Sequence, residues 1–221
     1  MSTPRTPYGL SELDFGLTWL AGQFHLDWRY AGSAENVLVR VLNTDQPAEV
    51  TVLRNDARLA RTGLPAAAVE ALWQAVTGTF RFGPDGDSPS GPAWLDTIVA
   101  GADGWFAEHP GTDPVTWSIP DPVGPVLAEI EALGRVYRGK YNAPPAAEVL
   151  AALADCARNC SADLALRFLL RTVTESNLRI SREWYERLQR LGNELGYGEF
   201  VVGAIDHLIE EPDDTDREVG G

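Results

Sequence analysis

The stretch AEVTVLRNDARLA, residues 48–60, decides how the rest of the chain is read. Within it Val50, Thr51, Val52 and Leu53 form the only strand-like run in the sequence. Two features argue this run into a helix. Pro47 restarts the chain immediately upstream, and Arg54, Arg58 and Arg61 recur on one side while Val50, Leu53, Ala57 and Leu59/Ala60 gather near another, a three-to-four-residue period. Gly63 is expected to end the helix in the C′ position. With that run assigned to a helix, no strand remains, and the expected class is all-α.

Outward from this stretch the same period recurs. Upstream, residues 11–24 place Leu13, Leu17, Leu20 and Phe24 on a helical face, and Ser33 is a good N-cap for a helix carrying Val37, Leu38, Val41 and Leu42. Downstream, Pro65 opens a helix with Val69, Leu72, Trp73 and Val76 facing the core. Residues 83–92, dominated by Gly, Pro and Asp, read as a long loop. The loop is only superficially like a calcium-binding loop, because Pro89 and Pro92 interrupt the alternate-ligand register. After it, residues 93–108 supply a helix with Trp94, Leu95, Ile98, Ala102, Trp105 and Phe106.

Prolines 110, 114, 120, 122 and 125 then recur with Gly111 and Gly124, the composition of a linker. We therefore expect two helical units: residues 1–109, a linker at 110–125, a second unit at 126–211 and an acidic tail at 212–221. The second unit divides into helices over 126–141, 145–157, 161–176, 181–195 and 197–211, with Ser161 and Ser181 as N-caps.

With 221 residues, 44% of them hydrophobic and 23% charged, the chain can bury a substantial core and lacks the composition of a disordered protein. No window holds eighteen uninterrupted apolar residues, and Pro4, Arg5 and Pro7 stand where a signal peptide would have its apolar core. The expectation is a soluble cytoplasmic protein that does not enter membranes. The formal net charge is −14, from 32 acidic and 18 basic residues. It is spread evenly, with 14 acids and 7 bases in residues 1–113 against 18 and 11 in 114–221. Such a field repels nucleic acid and anionic lipid and attracts basic proteins.

Familiar catalytic patterns are missing. There is no Gly-x-Ser-x-Gly, no phosphate loop ending in Lys-Ser or Lys-Thr and no His-Glu-x-x-His, and the single lysine, Lys140, sits at an expected helix end. Cys156 and Cys160, four apart in a helical pattern, are poorly placed for a disulfide and read as small buried thiols. The three histidines lack zinc-ligand spacing, so we expect no metal, no cofactor and no catalytic residue. The His25-Leu26-Asp27-Trp28 tetrad admits two readings: an acid–base pair of His25 and Asp27, or a turn capped by Asp27 with Trp28 anchored in the core. Trp94 and Trp105 carry a similar choice between core and interface.

The segment Leu17 to Trp28, with its aromatic-His-x-Asp-Trp ending, resembles the opening of immunity proteins from contact-dependent growth inhibition systems (CdiI type). The loop Phe82 to Ser88, followed by Trp94-Leu95, is similar to that family's ending, and the likeness spans residues 10–108. A weaker one over residues 145–197, carried by Ala165 to Leu170, Glu175-Ser176, Ile180-Ser181 and Trp184 to Glu186, is to small helical immunity proteins of the MafI type, although Arg167 stands where that pattern more often has an acidic residue.

The resemblance implies a non-catalytic bacterial protein that binds the basic C-terminal toxin domain of a polymorphic, contact-delivered effector, often a nuclease, and neutralises it. Asp27, Trp28, Asp85, Asp87 and Trp94 are the expected toxin-binding residues. The alternatives are a helical scaffold or regulatory adaptor unrelated to toxins, and a hydrolase built on His25 and Asp27.

Overall fold

Pro47 starts a helix because its ring fixes φ and it lacks the N–H that a first helical turn leaves unpaired. In the computed structural model that helix, α3, runs Pro47–Gly63, and a capping box closes its start, with the Gln46 backbone N–H donating to Glu49 Oε2 at 2.7 Å. The structure describes residues 13–24, 28–77, 91–112, 120–139 and 144–210. The remaining helices among them are α1 (Gly16–Gly22), α2 (Ala34–Thr44), α4 (Ala66–Val76), α5 (Gly91–Glu108), α6 (Val123–Val136), α7 (Ala146–Asn159), α8 (Ala162–Glu175), α9 (Arg182–Glu194) and α10 (Glu199–Gly203). Short 3₁₀ turns cover Trp28–Ala31 and Asp206–Leu208. The described residues contain no strand, and the only β pairing among them is a single parallel bridge between Ile180 and Ile209. The protein is all-α, and no described helix is long and apolar enough to cross a membrane.

The serine caps form as the sequence requires. Ser33 accepts from Asn36 N–H, Ser161 from Leu164 N–H and Ser181 from Trp184 N–H. Outside α3, the arginines of its second face reach across to α5: Arg54 and Arg58 pair with Asp103, and Arg61 with Asp96. These pairs ride on the most extensive helix contact in the fold, α3 against α5.

Three details differ from the sequence reading. Leu13, expected on the first helical face, precedes α1 and is 50% exposed. Gly63 is not a left-handed cap; it is the last residue of α3, and the chain turns at the extended Leu64. A Cβ there would stand 2.6 Å from both the Asn159 carbonyl oxygen and Cys160 Sγ, so Gly63 is small because α7 passes directly over it. Residues 197–211 do not form one helix either. Gly198 and Gly203 bracket the short α10, and the chain then returns so that Ile180 N–H donates to Leu208 O and Glu210 N–H to Ile180 O.

The expected linker does not separate two cores. Helix α4, from the first half, packs on α7 and α8, α1 touches α8, and the buried apolar side chains form one continuous cluster from Phe15 to Leu208. The proline-rich segment thus connects helices that share an interior, and its last residues, Val123 to Pro125, already belong to α6, a first turn in which proline is tolerated. At the centre lies α8, in which every residue from Ala162 to Leu170 is buried, the pattern of a helix surrounded on all sides.

That helix carries a buried charge. Arg167, 1% exposed, donates through Nη1 to Asp56 Oδ2 (2.7 Å) and the Phe15 carbonyl (3.1 Å), through Nη2 to Asp56 Oδ1 (2.8 Å) and Asp163 Oδ2 (2.7 Å), and through Nε to Asp163 Oδ2 (3.2 Å). All five guanidinium N–H groups are thereby engaged. Tyr197 Oη donates to Asp163 Oδ1 at 2.8 Å, and Leu17 N–H to Asp56 Oδ2 at 3.0 Å. Burial pulls the Arg167 pKa down, but Asp163 and Asp56 outweigh it and hold the cation firmly protonated.

Two stability outcomes follow. Arg167→Met leaves Asp56 and Asp163 enclosed without a counter-charge and is expected to lower the unfolding free energy by about 3–5 kcal/mol in chemical denaturation. Gly63→Ala forces α3 off α7 and is expected to lower it by about 1–3 kcal/mol, whereas a C′ glycine facing solvent would be far more tolerant.

Candidate functional site

The N-terminal end of α1 and the junction of α2 with α3 enclose a surface cleft of about 230 Å³. Its position follows from local sequence. Asp45-Gln46-Pro47 breaks the helical run, turning α2 into α3 through extended residues at Asp45 and Gln46. On the facing side, the backbone around Gly16, at φ +64°, is drawn onto the Arg167–Asp56 pair; a Cβ at Gly16 would stand 2.2 Å from Asp56 Oδ2. The sharp entry to α1 that only glycine accommodates places Asp14 at the mouth of the cleft.

Asp14, Phe15 and Trp19 line one wall, and Thr44, Asp45 and Glu49 the other, with half-exposed Leu13 at the rim. Asp14 Oδ1 accepts from Thr18 Oγ1 at 2.7 Å and from Phe15 N–H at 2.9 Å, which orients its carboxylate. Burial nevertheless raises the Asp14 pKa above the usual carboxylate value, the hydrogen bonds and the more distant Arg167 and Arg171 opposing that rise. Asp45 is pushed up to about 7, first by burial and then by the like charge of Glu49. Among the described residues, no histidine, lysine, arginine, serine or cysteine lines this cleft. What it offers is acidic side chains beside the Trp19 indole and an aliphatic rim, a combination suited to an ammonium or guanidinium group whose stem lies on apolar surface.

The residues expected to bind a partner are distributed differently. Trp28 and Trp94 are 6% and 2% exposed and belong to an aromatic cluster with Phe24 and Trp73, in which Phe24 lies 5.5 Å from Trp28 and 6.1 Å from Trp94, centroid to centroid. Their rings serve the core. This arrangement matches the core reading of Trp28: large rings from four separate segments pack together out of water, where each buries the most apolar area. Asp27, Asp85, Asp87 and His25 lie outside the described residues. His109 stacks on Trp105 at 4.1 Å with Nδ1 2.8 Å from the Trp105 carbonyl, at the end of α5.

The cysteines are free thiols; Cys156 is fully enclosed and Cys160 partly open. Hydrogen bonding to Cys160, then burial, raises the Cys156 pKa, and the same hydrogen bond lowers that of Cys160. Among the described residues no three His, Cys, Asp or Glu side chains are grouped to hold a metal ion.

Sequence reasoning passed over Asp14, Asp45 and Glu49: Asp14 stands before α1, 31 and 35 positions ahead of Asp45 at the end of α2 and Glu49 in the first turn of α3. The one local signal was Gln46-Pro47 with Glu49 three residues after the cap, a helix start that fixes Glu49 beside Asp45. Comparison of the chain with protein-family models, with curated proteins and with solved structures finds no match to any of them.

The raised Asp45 pKa has a sign that can be checked. A carboxyl whose folded pKa of about 7 exceeds its ordinary 3.8 is stabilising as the neutral acid below pH 3.8, and that contribution is lost as the pH rises through 7. Asp45→Asn is therefore expected to raise the melting temperature at pH 8 and leave it nearly unchanged at pH 4; an equal change at both values would contradict the assigned environment.

Proposed function

We propose that this chain binds and neutralises a basic protein, as an immunity protein neutralises its toxin, and that the cleft between α1 and the α2–α3 junction receives a lysine or arginine side chain of that partner. The observation that carries the reading is the convergence of Asp14, Asp45 and Glu49 around one surface cleft walled by Trp19. A net charge of −14 supplies the long-range attraction, and the cleft supplies a place where one cation is held at short range. The likeness of residues 10–108 to contact-dependent growth inhibition immunity proteins supports a toxin domain, delivered from cell to cell, as the basic partner. The site of action is then the cytoplasm of the producing cell.

On this reading the chain acts as one binding unit and not as two immunity modules in tandem, since a shared interior leaves neither half free to present an independent surface. Neutralisation requires only occlusion, so no residue is assigned a catalytic role. Asp27, Asp85 and Asp87 join the proposal as further acidic contacts. Trp28 and Trp94 act behind the surface, by holding the core on which it is built.

The test is co-expression with candidate basic toxin domains, scoring survival, together with association kinetics of the purified pair. Parent protein is expected to protect and to associate more slowly as salt increases. Asp45→Arg is expected to weaken binding by about tenfold or more, a loss on the scale of one interfacial charge contact. Because a bound cation favours the Asp45 carboxylate, parental affinity should also rise between pH 6 and pH 8, and this rise should vanish in Asp45→Asn. Survival that is equal with and without the chain would overturn the neutralising role. Full protection by Asp45→Arg would remove the cleft from it.

A further inference from the structure

One carboxylate of the cleft has part of its bonding already committed. Asp14 Oδ1 accepts two hydrogen bonds, from Thr18 Oγ1 at 2.7 Å and from Phe15 N–H at 2.9 Å. The Thr18 hydroxyl has one hydrogen to give, and Phe15 O, 3.1 Å away, is its other acceptor. That carbonyl already receives Arg167 Nη1 at 3.1 Å, and a neutral carbonyl attracts a hydroxyl less than a carboxylate does, so the hydrogen goes to Asp14. Thr18 is fully buried in α1, a helix whose entry is fixed by the hydrogen bond from Leu17 N–H to Asp56, so its hydroxyl is held in place. A carboxylate oxygen has two lone pairs. With both on Oδ1 taken, Asp14 can add a ligand only through Oδ2.

We infer that Thr18 sets the cation specificity of the cleft: by saturating Asp14 Oδ1 it denies an arginine the two-oxygen fork and leaves the site selective for the ammonium group of a lysine. This specificity rests on the cation-binding reading of the cleft and adds which cation it takes. A guanidinium presents parallel N–H groups and is bound best by both oxygens of one carboxylate. The protein's own buried guanidinium shows the requirement, since Arg167 Nη1 and Nη2 take Oδ2 and Oδ1 of Asp56. Asp56 Oδ2 accepts one further N–H, from Leu17, and still has a lone pair for the fork, whereas Asp14 Oδ1 has none. Near neutral pH Asp45, pushed up to about 7 by burial and then by Glu49, is in part the neutral acid, a form that cannot accept a fork. An ammonium group instead has three diverging N–H donors, each needing one oxygen. The cleft meets that pattern with three acids on three segments: Asp14 before α1, Asp45 at the end of α2 and Glu49 in the first turn of α3. Leu13 and Trp19 supply apolar surface for the lysine stem.

The experiment titrates the full-length chain at neutral pH and follows the Trp19 indole N–H signal in proton–nitrogen correlation spectra, identified among the seven tryptophans by its loss in Trp19→Phe. The probes are Nα-acetyl-lysine methylamide and Nα-acetyl-arginine methylamide, each carried to concentrations on the order of tens of millimolar, which reaches the affinity of a single side chain. The lysine probe should shift the signal saturably and bind at least about fivefold more tightly than the arginine probe, the scale of one hydrogen bond. Thr18→Val, which keeps the branched shape and removes the donor, should bring the arginine probe close to the lysine value. Thr18→Ser, which keeps the hydroxyl, should retain the parental ratio. A change that only loosened the fold would weaken both probes together, and far-UV circular dichroism reports whether each variant is folded. Should Thr18→Val fail to fold, Thr18→Ala takes its place. Arginine binding the parent as tightly as lysine overturns the specificity and leaves the cation-binding reading standing, and so does an unchanged ratio in the folded variant that lacks the hydroxyl. No saturable shift with either probe removes the cation-binding reading of the cleft and the specificity with it.

Discussion

A guanidinium enclosed at the centre of a helical protein sets the terms for the rest of this structure. Removing one ion from water costs several kcal/mol even after relaxation, and only near-complete hydrogen bonding offsets that cost. Arg167 meets the condition with both oxygens of Asp56, one of Asp163 and the Phe15 carbonyl, and its plane lies over the Phe15 ring at 4.5 Å. Those partners come from the segment before α1, from α3 and from α8 itself, while Tyr197 reaches in from beyond α9 to hold Asp163. Each must be in place for the others to be tolerable. An apolar centre would have permitted several packings of amphipathic helices, whereas a charge with five directional donors admits few.

The cleft depends on the same contacts. Asp56 accepts from Leu17 N–H and Arg167 donates to Phe15 O, so the backbone on both sides of Gly16 is pinned from beneath. Asp14 and Trp19 inherit their positions from that anchoring, and Asp45 and Glu49 inherit theirs from the helix break at Pro47. A rigid wall meeting a proline-defined corner brings these acidic side chains together around one cleft. Burial, and after it the like charge of Glu49, appear as the upward shift at Asp45. A site prepared in this way gains most from a ligand that brings positive charge, because binding relieves the repulsion as well as forming new contacts.

Much of the helical architecture was legible from residue order. Ser33, Ser161 and Ser181 cap as their side chains demand, and the arginines of α3 point where their spacing places them. Local pattern failed where distant chain intervened. Gly63 looked like a terminator, but its smallness answers to the backbone of α7 almost a hundred residues on. The prolines of 110–125 looked like a spacer, because composition reports what a segment cannot form and says nothing of what its neighbours touch. Arg167 was visible only as a departure from the MafI-type pattern, which more often has an acidic residue there; its meaning required knowing that Asp56 and Phe15 lie opposite. The cleft was illegible for a similar reason, since Asp14 comes from a segment more than thirty residues before Asp45 and Glu49 and shares no motif with them.

The span of chain between Arg167 and its partners also bears on how the protein is made. Asp56 leaves the ribosome 111 residues ahead of Arg167, and Phe15 152 residues ahead. For that interval α3 carries a carboxylate that will end in the interior with nothing yet to neutralise it, so the nascent first half has reason to stay loose until α8 emerges. The core can therefore close around Asp56 with its counter-charge only once Arg167 has been made, and joining such remote segments carries a loop-closure cost.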